Sequence, residues 1–197
     1  ARNRAPTATL ARTLLTYTAF YCVFFGIPQW LQYSRGMGAT EAGLTMLPVA
    51  VVGIGSTLLA SRTYRRHGVR RTLTIGTWAL LVGGVLLASV ESSTAPIVVL
   101  LMVAAVLGIP NGFNNIGNQN LISSVTSVEE VGTAIGMYRT VQYIGANLSA
   151  VVLQATAGHV IGDDGLHHTG WFIAIAGVLL LAGVLMSRNM GDRRSAA

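Results

Sequence analysis

The stretch GIPNGFNNIGNQN, residues 108–120, carries five asparagines and a glutamine directly after the apolar run IVVLLMVAAVL. Amides are neutral and can both donate and accept, so they can hold water or a polar solute without the desolvation cost of a charge. They cannot act as acid or base. Asn111, Asn114, Asn115 and Asn118 fall at i, i+3, i+4 and i+7, which sets them on one face of a helix. A second set reads Tyr17 or Thr18, Tyr21, Phe25, Gln29 and Gln32, with Trp30 beside it, and its Gly26-Ile27-Pro28 step could bend the helix. A third set reads Arg139, Tyr143, Asn147 and Gln154, with Gln142 alongside. Tyr17, Tyr21, Phe25, Trp30 and Tyr143 add flat, adaptable surface for an amphipathic ligand.

Groups suited to covalent or metal chemistry are sparse. Cys22 stands alone inside an apolar run, without a partner for a disulfide or a metal-ligand spacing. Asp163, Asp164, His167 and His168 could hold a metal, but DDGLHH reads better as a solvated loop. There is no nucleophile elbow, phosphate-cradling loop or two-histidine metalloprotease helix. No enzyme activity, cofactor or metal is expected.

Composition says what must position these faces. Of 197 residues, 52% are hydrophobic and only 10% are charged, and the mean hydropathy is +0.58. That is a membrane composition. A bilayer core of about 30 Å takes roughly 20 helical residues to cross. The sequence offers six runs of that order, near 11–33, 42–63, 72–90, 96–121, 131–157 and 169–187. They are too long and unbroken for barrel strands, so the expected fold class is all-α, an integral membrane bundle of six transmembrane helices. The connectors between them, such as SRGMGATE and ESSTAP, leave almost no room for a soluble domain.

Polar side chains at membrane depth are costly unless they face protein or water. The first, fourth and fifth runs carry polar faces, whereas the third and sixth carry none and are expected to face lipid. One such face alone reads equally well as interhelical hydrogen bonding. Three together point to a shared wet cavity, with the amides of 108–120 lining its inner half. Arg139, about two turns inside the fifth run, either snorkels to the interface or faces an acidic group. No Asp or Glu lies in the middle of any run, so a proton relay cannot be built from this chain alone.

All thirteen basic residues are arginines. If Ala1 faces the cytoplasm, the inner segments hold Arg2, Arg4 and Arg12, then Arg62, Arg65, Arg66, Arg70 and Arg71, then Arg188, Arg193 and Arg194. Only Arg35 falls in an outer loop. This bias matches the positive-inside rule and puts both termini in the cytoplasm. The basic balance is therefore read as topology, and nucleic acid is not an expected partner because no basic stripe alternates with stacking aromatics. Ser127, three residues before Glu130, is expected to cap the fifth helix. Ala1 without a Met, in ARNRAPTATLARTLL, reads as an internal start within something longer.

The loop SRTYRRHGVRR at 61–71 resembles the signature G-x-x-x-D-R-x-G-x-R-R of the major facilitator superfamily. Arg66, Gly68, Arg70 and Arg71 match; Ser61 replaces the Gly and Arg65 the Asp, so the acidic member is missing. LQYSRGMGATEAGLTMLP at 31–48 and EEVGTAIGMYRTVQYIGANLSA at 129–150 resemble segments in the second half of the fourteen-span drug:proton antiporters, with Ala39 where Ser is usual. The resemblance implies the C-terminal half of a secondary active transporter in the cell membrane. It implies export of amphipathic small molecules, cationic or aromatic, coupled to protons, with an N-terminal half that carries the coupling carboxylates. It also implies that the first and fourth helices line a central cavity. A non-transporting membrane scaffold is the alternative.

The topology is open to a direct check. Single cysteines at Thr63 and Ser93, in a Cys22→Ser background, should be labelled from opposite sides by an impermeant thiol reagent, and labelling of both from one side rules out the six-run arrangement.

Overall fold

The computed structural model describes residues 4–90 and 92–186, and among these the regular structure is all helical. The helices are α1 (Arg4–Tyr33), α2 (Ala39–Thr45), α3 (Leu47–Ser89), α4 (Ile97–Val125), α5 (Val131–Ala157) and α6 (Asp163–Met186), with a 3-10 turn at Val128–Glu130 before α5. Helices suit such a chain because each satisfies its own backbone hydrogen bonds in an apolar medium. By length and apolarity four stretches could cross a membrane: Thr7–Tyr33, Ala39–Ser89, Ile97–Val125 and Asp163–Met186. The polar residues of α5 keep it out of that set.

The second and third expected runs fall in α3, whose two helical arms meet at Gly68, where φ is +82°. Only glycine adopts that conformation without strain. Contacts along α4 show that the chain folds back there. Val49 and Gly53 lie beside Gly108, and Ser56 lies beside Gly112. Past the turn the order reverses, with Leu73 beside Gly117, Gly76 beside Phe113 and Asn114, and Gly83 beside Leu107. The two arms of α3 thus run in opposite directions along one helix. Arg70 fixes the turn to the end of α6 by donating to the Leu185 carbonyl at 3.1 Å, while Arg66 and Arg71 are exposed.

Three expectations need correction. Residues 163–168 are not a loop, because α6 starts at Asp163 with both aspartates in its first turn, where carboxylates complement the helix dipole. Ser127 makes no capping bond to the α5 backbone; its hydroxyl meets the Glu130 carboxylate at 3.2 Å instead. Helix α1 begins at Arg4 rather than near 11, which carries Arg12 well inside the helix. Arg2, Arg188, Arg193 and Arg194 lie outside the described residues.

Opposite the Gly68 end, Asp163 ties α6 to two other segments. Its Oδ1 accepts from the Trp30 indole at 2.8 Å, and its Oδ2 accepts from the Ser93 backbone N–H at 2.9 Å and the Ser93 hydroxyl at 2.8 Å. Arg35, in the connector between α1 and α2, donates to the Ala95 carbonyl at 2.8 Å. The apolar core gathers toward this end, around Cys22, Val23, Ile27, Trp30, Leu31, Leu166 and Ile173. Large apolar side chains exposed on α3 (Val51, Ile54, Leu58, Trp78) and α6 (Trp171, Ile175, Leu179) make a lipid-like exterior.

Small residues let the helices meet backbone to backbone, as membrane bundles require. A Cβ at Gly84 or Gly170 would press on the backbone of Ala174 or Ala88 across the α3–α6 contact, and one at Gly112 would overlap Ser56 and Thr57. Gly112→Val should therefore push α3 from α4 and cost about 1–3 kcal/mol, measured as a lower unfolding midpoint in detergent. Gly183→Val, in open space, should leave the midpoint nearly unchanged.

Candidate functional site

The buried face of α1 changes character along its length. Thr9, Arg12, Thr13 and Thr16 give way to Ala19, Cys22, Val23, Ile27 and Trp30. The polar half meets the amide face of α4, and two hydrogen-bonded groups form there, one on either side of a cleft.

The first is a cage around Arg12, which is only 8% exposed. Its Nε donates to Asn118 Oδ1 at 2.9 Å, Nη1 to the Leu180 carbonyl at 2.8 Å and Nη2 to Thr77 Oγ1 at 2.8 Å. Thr77 donates in turn to Asn114 Oδ1 at 3.4 Å. One guanidinium thus ties α1 to α3, α4 and α6, and all three of these partners are neutral. The sequence reading missed this residue by placing it among the cytoplasmic arginines. Its spacing from Thr9, Thr13 and Thr16 on one face was the available signal.

The second group joins α1, α4 and α5. The Tyr17 and Tyr138 hydroxyls lie 3.3 Å apart, and Tyr138 donates to Asn115 Oδ1 at 3.1 Å. The two rings meet edge to face with centroids 6.3 Å apart. Tyr138 is fully buried and was not among the expected site residues. It lies off the Arg139–Tyr143 stripe, facing α1.

Between the groups lies a small, partly open cleft lined by Thr16, Tyr17, Phe20, Leu80, Pro110, Asn111, Asn114 and Asn115. It brings together Tyr17 and three of the four expected asparagines, while Asn118 sits behind them in the cage. An aromatic ladder continues along α1, with Tyr21 and Phe25 stacked at 5.5 Å. Phe25 and Gln29 are exposed, and neither lines the cleft. Trp30 leaves the expected set, being fully buried and bound to Asp163. Arg139, Tyr143 and Asn147 also stand outside the cleft, exposed on α5. Arg139 donates to Gln142 at 3.4 Å, and the Asn147 amide to the Tyr143 carbonyl at 2.8 Å. Among the described residues no cluster of three or more His, Cys, Asp or Glu side chains could hold a metal.

An all-helical bundle with lipid-like outer faces defines a membrane protein. The chain matches the family model of the Major Facilitator Superfamily over residues 10–196, and it belongs to that family of membrane transporters. It is also similar to YwoD of Bacillus subtilis (strain 168), described as an uncharacterized MFS-type transporter, with 28% identity over 175 residues. The match covers 89% of this chain and 38% of YwoD, so the chain spans well under half the length of that relative.

The tyrosine pair generates a stability test. Tyr138→Phe keeps the ring and deletes the hydroxyl that meets Tyr17 and Asn115, and should cost about 1 kcal/mol, seen as a lower unfolding midpoint with an unchanged helical circular dichroism spectrum.

Proposed function

We propose that the chain is the C-terminal, six-crossing half of a secondary active transporter that exports amphipathic small molecules by alternating access. The cleft between α1, α3 and α4 is the observation that carries this reading. In such transporters the solute site lies near mid-membrane, between two halves that rock against each other. The cleft offers amides from Asn111, Asn114 and Asn115 and apolar walls from Phe20, Leu80 and Pro110, a mixture suited to an amphipathic solute. Tyr21, Phe25, Gln29, Arg139, Tyr143 and Asn147 extend the surface toward the other half. With both arms of α3 and with α5 counted as crossings, the arginine-rich Arg62–Arg71 turn and both termini face the cytoplasm of a cell-membrane protein.

Protons are the proposed coupling ion, on the strength of the likeness to drug:proton antiporters. The acidic residues described here sit in α2, in the turn before α5 and at the start of α6. A proton-carrying carboxylate at membrane depth is accordingly assigned to the other half.

Asn111 lines the cleft, whereas the oxygen of Asn115 is already engaged by Tyr138. In the complete transporter containing this chain, Asn111→Leu should lower the rate of solute export into vesicles about tenfold or more, with little change in the unfolding midpoint. Asn115→Leu should lower both, losing about 1 kcal/mol of interhelical hydrogen bonding. Unimpaired export in Asn111→Leu would favour the scaffold reading, in which the amides only hold helices together.

A further inference from the structure

The cage around Arg12 has more donors than acceptors. Asn118 Oδ1, the Leu180 carbonyl and Thr77 Oγ1 each take a guanidinium N–H, and Asn114 Oδ1 takes the Thr77 hydroxyl. Asn114 and Asn118 are 1% and 0% exposed, and among the described residues neither side-chain Nδ2 meets an acceptor. Turning the Asn118 amide over does not help, because its NH2 would then face the guanidinium N–H. Two amide NH2 groups and one positive charge are therefore gathered beside oxygens that each already accept a hydrogen bond.

We propose that this nest receives a carboxylate, reached from the cleft through Asn114. The proposal rests on reading the cleft as the solute site, and it makes the solute an amphipathic monocarboxylate rather than a cation. Asn114 belongs to both places: it lines the cleft, and it joins Arg12 through Thr77. Thr16, one turn beyond Arg12 on α1, also lines the cleft. A carboxylate brings two oxygens and roughly four lone-pair sites, which match the surplus donors, together with the charge that the guanidinium lacks nearby. Water would satisfy the amides and leave the buried charge uncompensated, and a cationic solute would be repelled by it. Phe20, Leu80 and Pro110 would hold the apolar body of the solute.

The test uses one ring system in three charge states, 2-naphthoate, 2-naphthamide and 2-naphthylmethylammonium, bound to the purified complete transporter. Naphthoate should bind about tenfold more tightly than naphthamide, equivalent to one charge-assisted hydrogen bond, and the ammonium compound should bind no better than the amide. Asn114→Asp supplies a carboxylate covalently; it should unfold at or above the wild-type temperature and lose the preference for naphthoate over naphthamide. Equal wild-type affinity for naphthoate and naphthamide would overturn the proposal and leave the nest a water site within an intact solute cleft. Failure of all three compounds to bind, with export undisturbed in Asn111→Leu, would overturn the cleft reading itself. Acetate separates the two sources of a carboxylate. Stabilisation by acetate as strong as by naphthoate would overturn the solute as the source, in favour of a free anion.

Discussion

A guanidinium inside a membrane bundle must be wrapped by acceptors, because an uncompensated charge in an apolar medium costs several kcal/mol. Arg12 meets that constraint by drawing its acceptors from three other helices: Thr77 of α3, Asn118 of α4 and Leu180 of α6. The planar fork of arginine permits this, since it points donors in several fixed directions at once. Lysine would place a point charge there and could not hold the same three partners in register. The relative position of four helices at the polar end of the bundle therefore depends on one side chain.

The close packing of small residues makes that arrangement reachable. Thr77 and Asn114 can bond only if α3 and α4 approach closely, and Gly76, next to Thr77, leaves the room. A Cβ there would stand 2.8 Å from Asn114 Oδ1 and 2.7 Å from the Phe113 Cβ. Gly145 does the same for α5 against α1 beside Tyr17. The polar contacts and the glycine contacts thus support each other: the glycines bring the helices near, and the hydrogen bonds select which faces meet. In a bilayer, where lipid is as apolar as leucine, both are needed to specify one packing.

What the sequence made legible follows the same physics. The all-α membrane fold was readable from apolar run lengths, and the amide face of α4 from its i, i+3, i+4, i+7 spacing. That face then divides, with Asn111 and Asn115 turned to the cleft, Asn118 in the cage and Asn114 shared between the two. Spacing on one helix cannot show this, because the split depends on which neighbours stand opposite. Arg12 was misplaced for a related reason. An arginine close to an expected helix start reads as an interfacial anchor, yet α1 begins about two turns earlier, at Arg4. Trp30 looked like ligand-binding surface because its partner, Asp163, lies 133 residues away in sequence.

The exposed surface is of two kinds, and the difference bears on what stands against it. The open faces of α3 and α6 are rows of Val, Ile, Leu and Trp, which lipid can cover without cost. The exposed residues of α1 and α5 are mixed, with Phe24, Phe25 and Gln29 on α1, and Arg139, Tyr143, Asn147 and Gln154 among apolar neighbours on α5. Amides and a guanidinium on a helix of this length need water or protein opposite them at membrane depth, not acyl chains. The polar stripe of α5 also explains why that helix alone among the long ones is not apolar enough to count as a crossing by composition. Its membrane position depends on what it faces. With α1 and α5 packed side by side, the mixed residues of both helices leave this part of the bundle less apolar than the faces of α3 and α6.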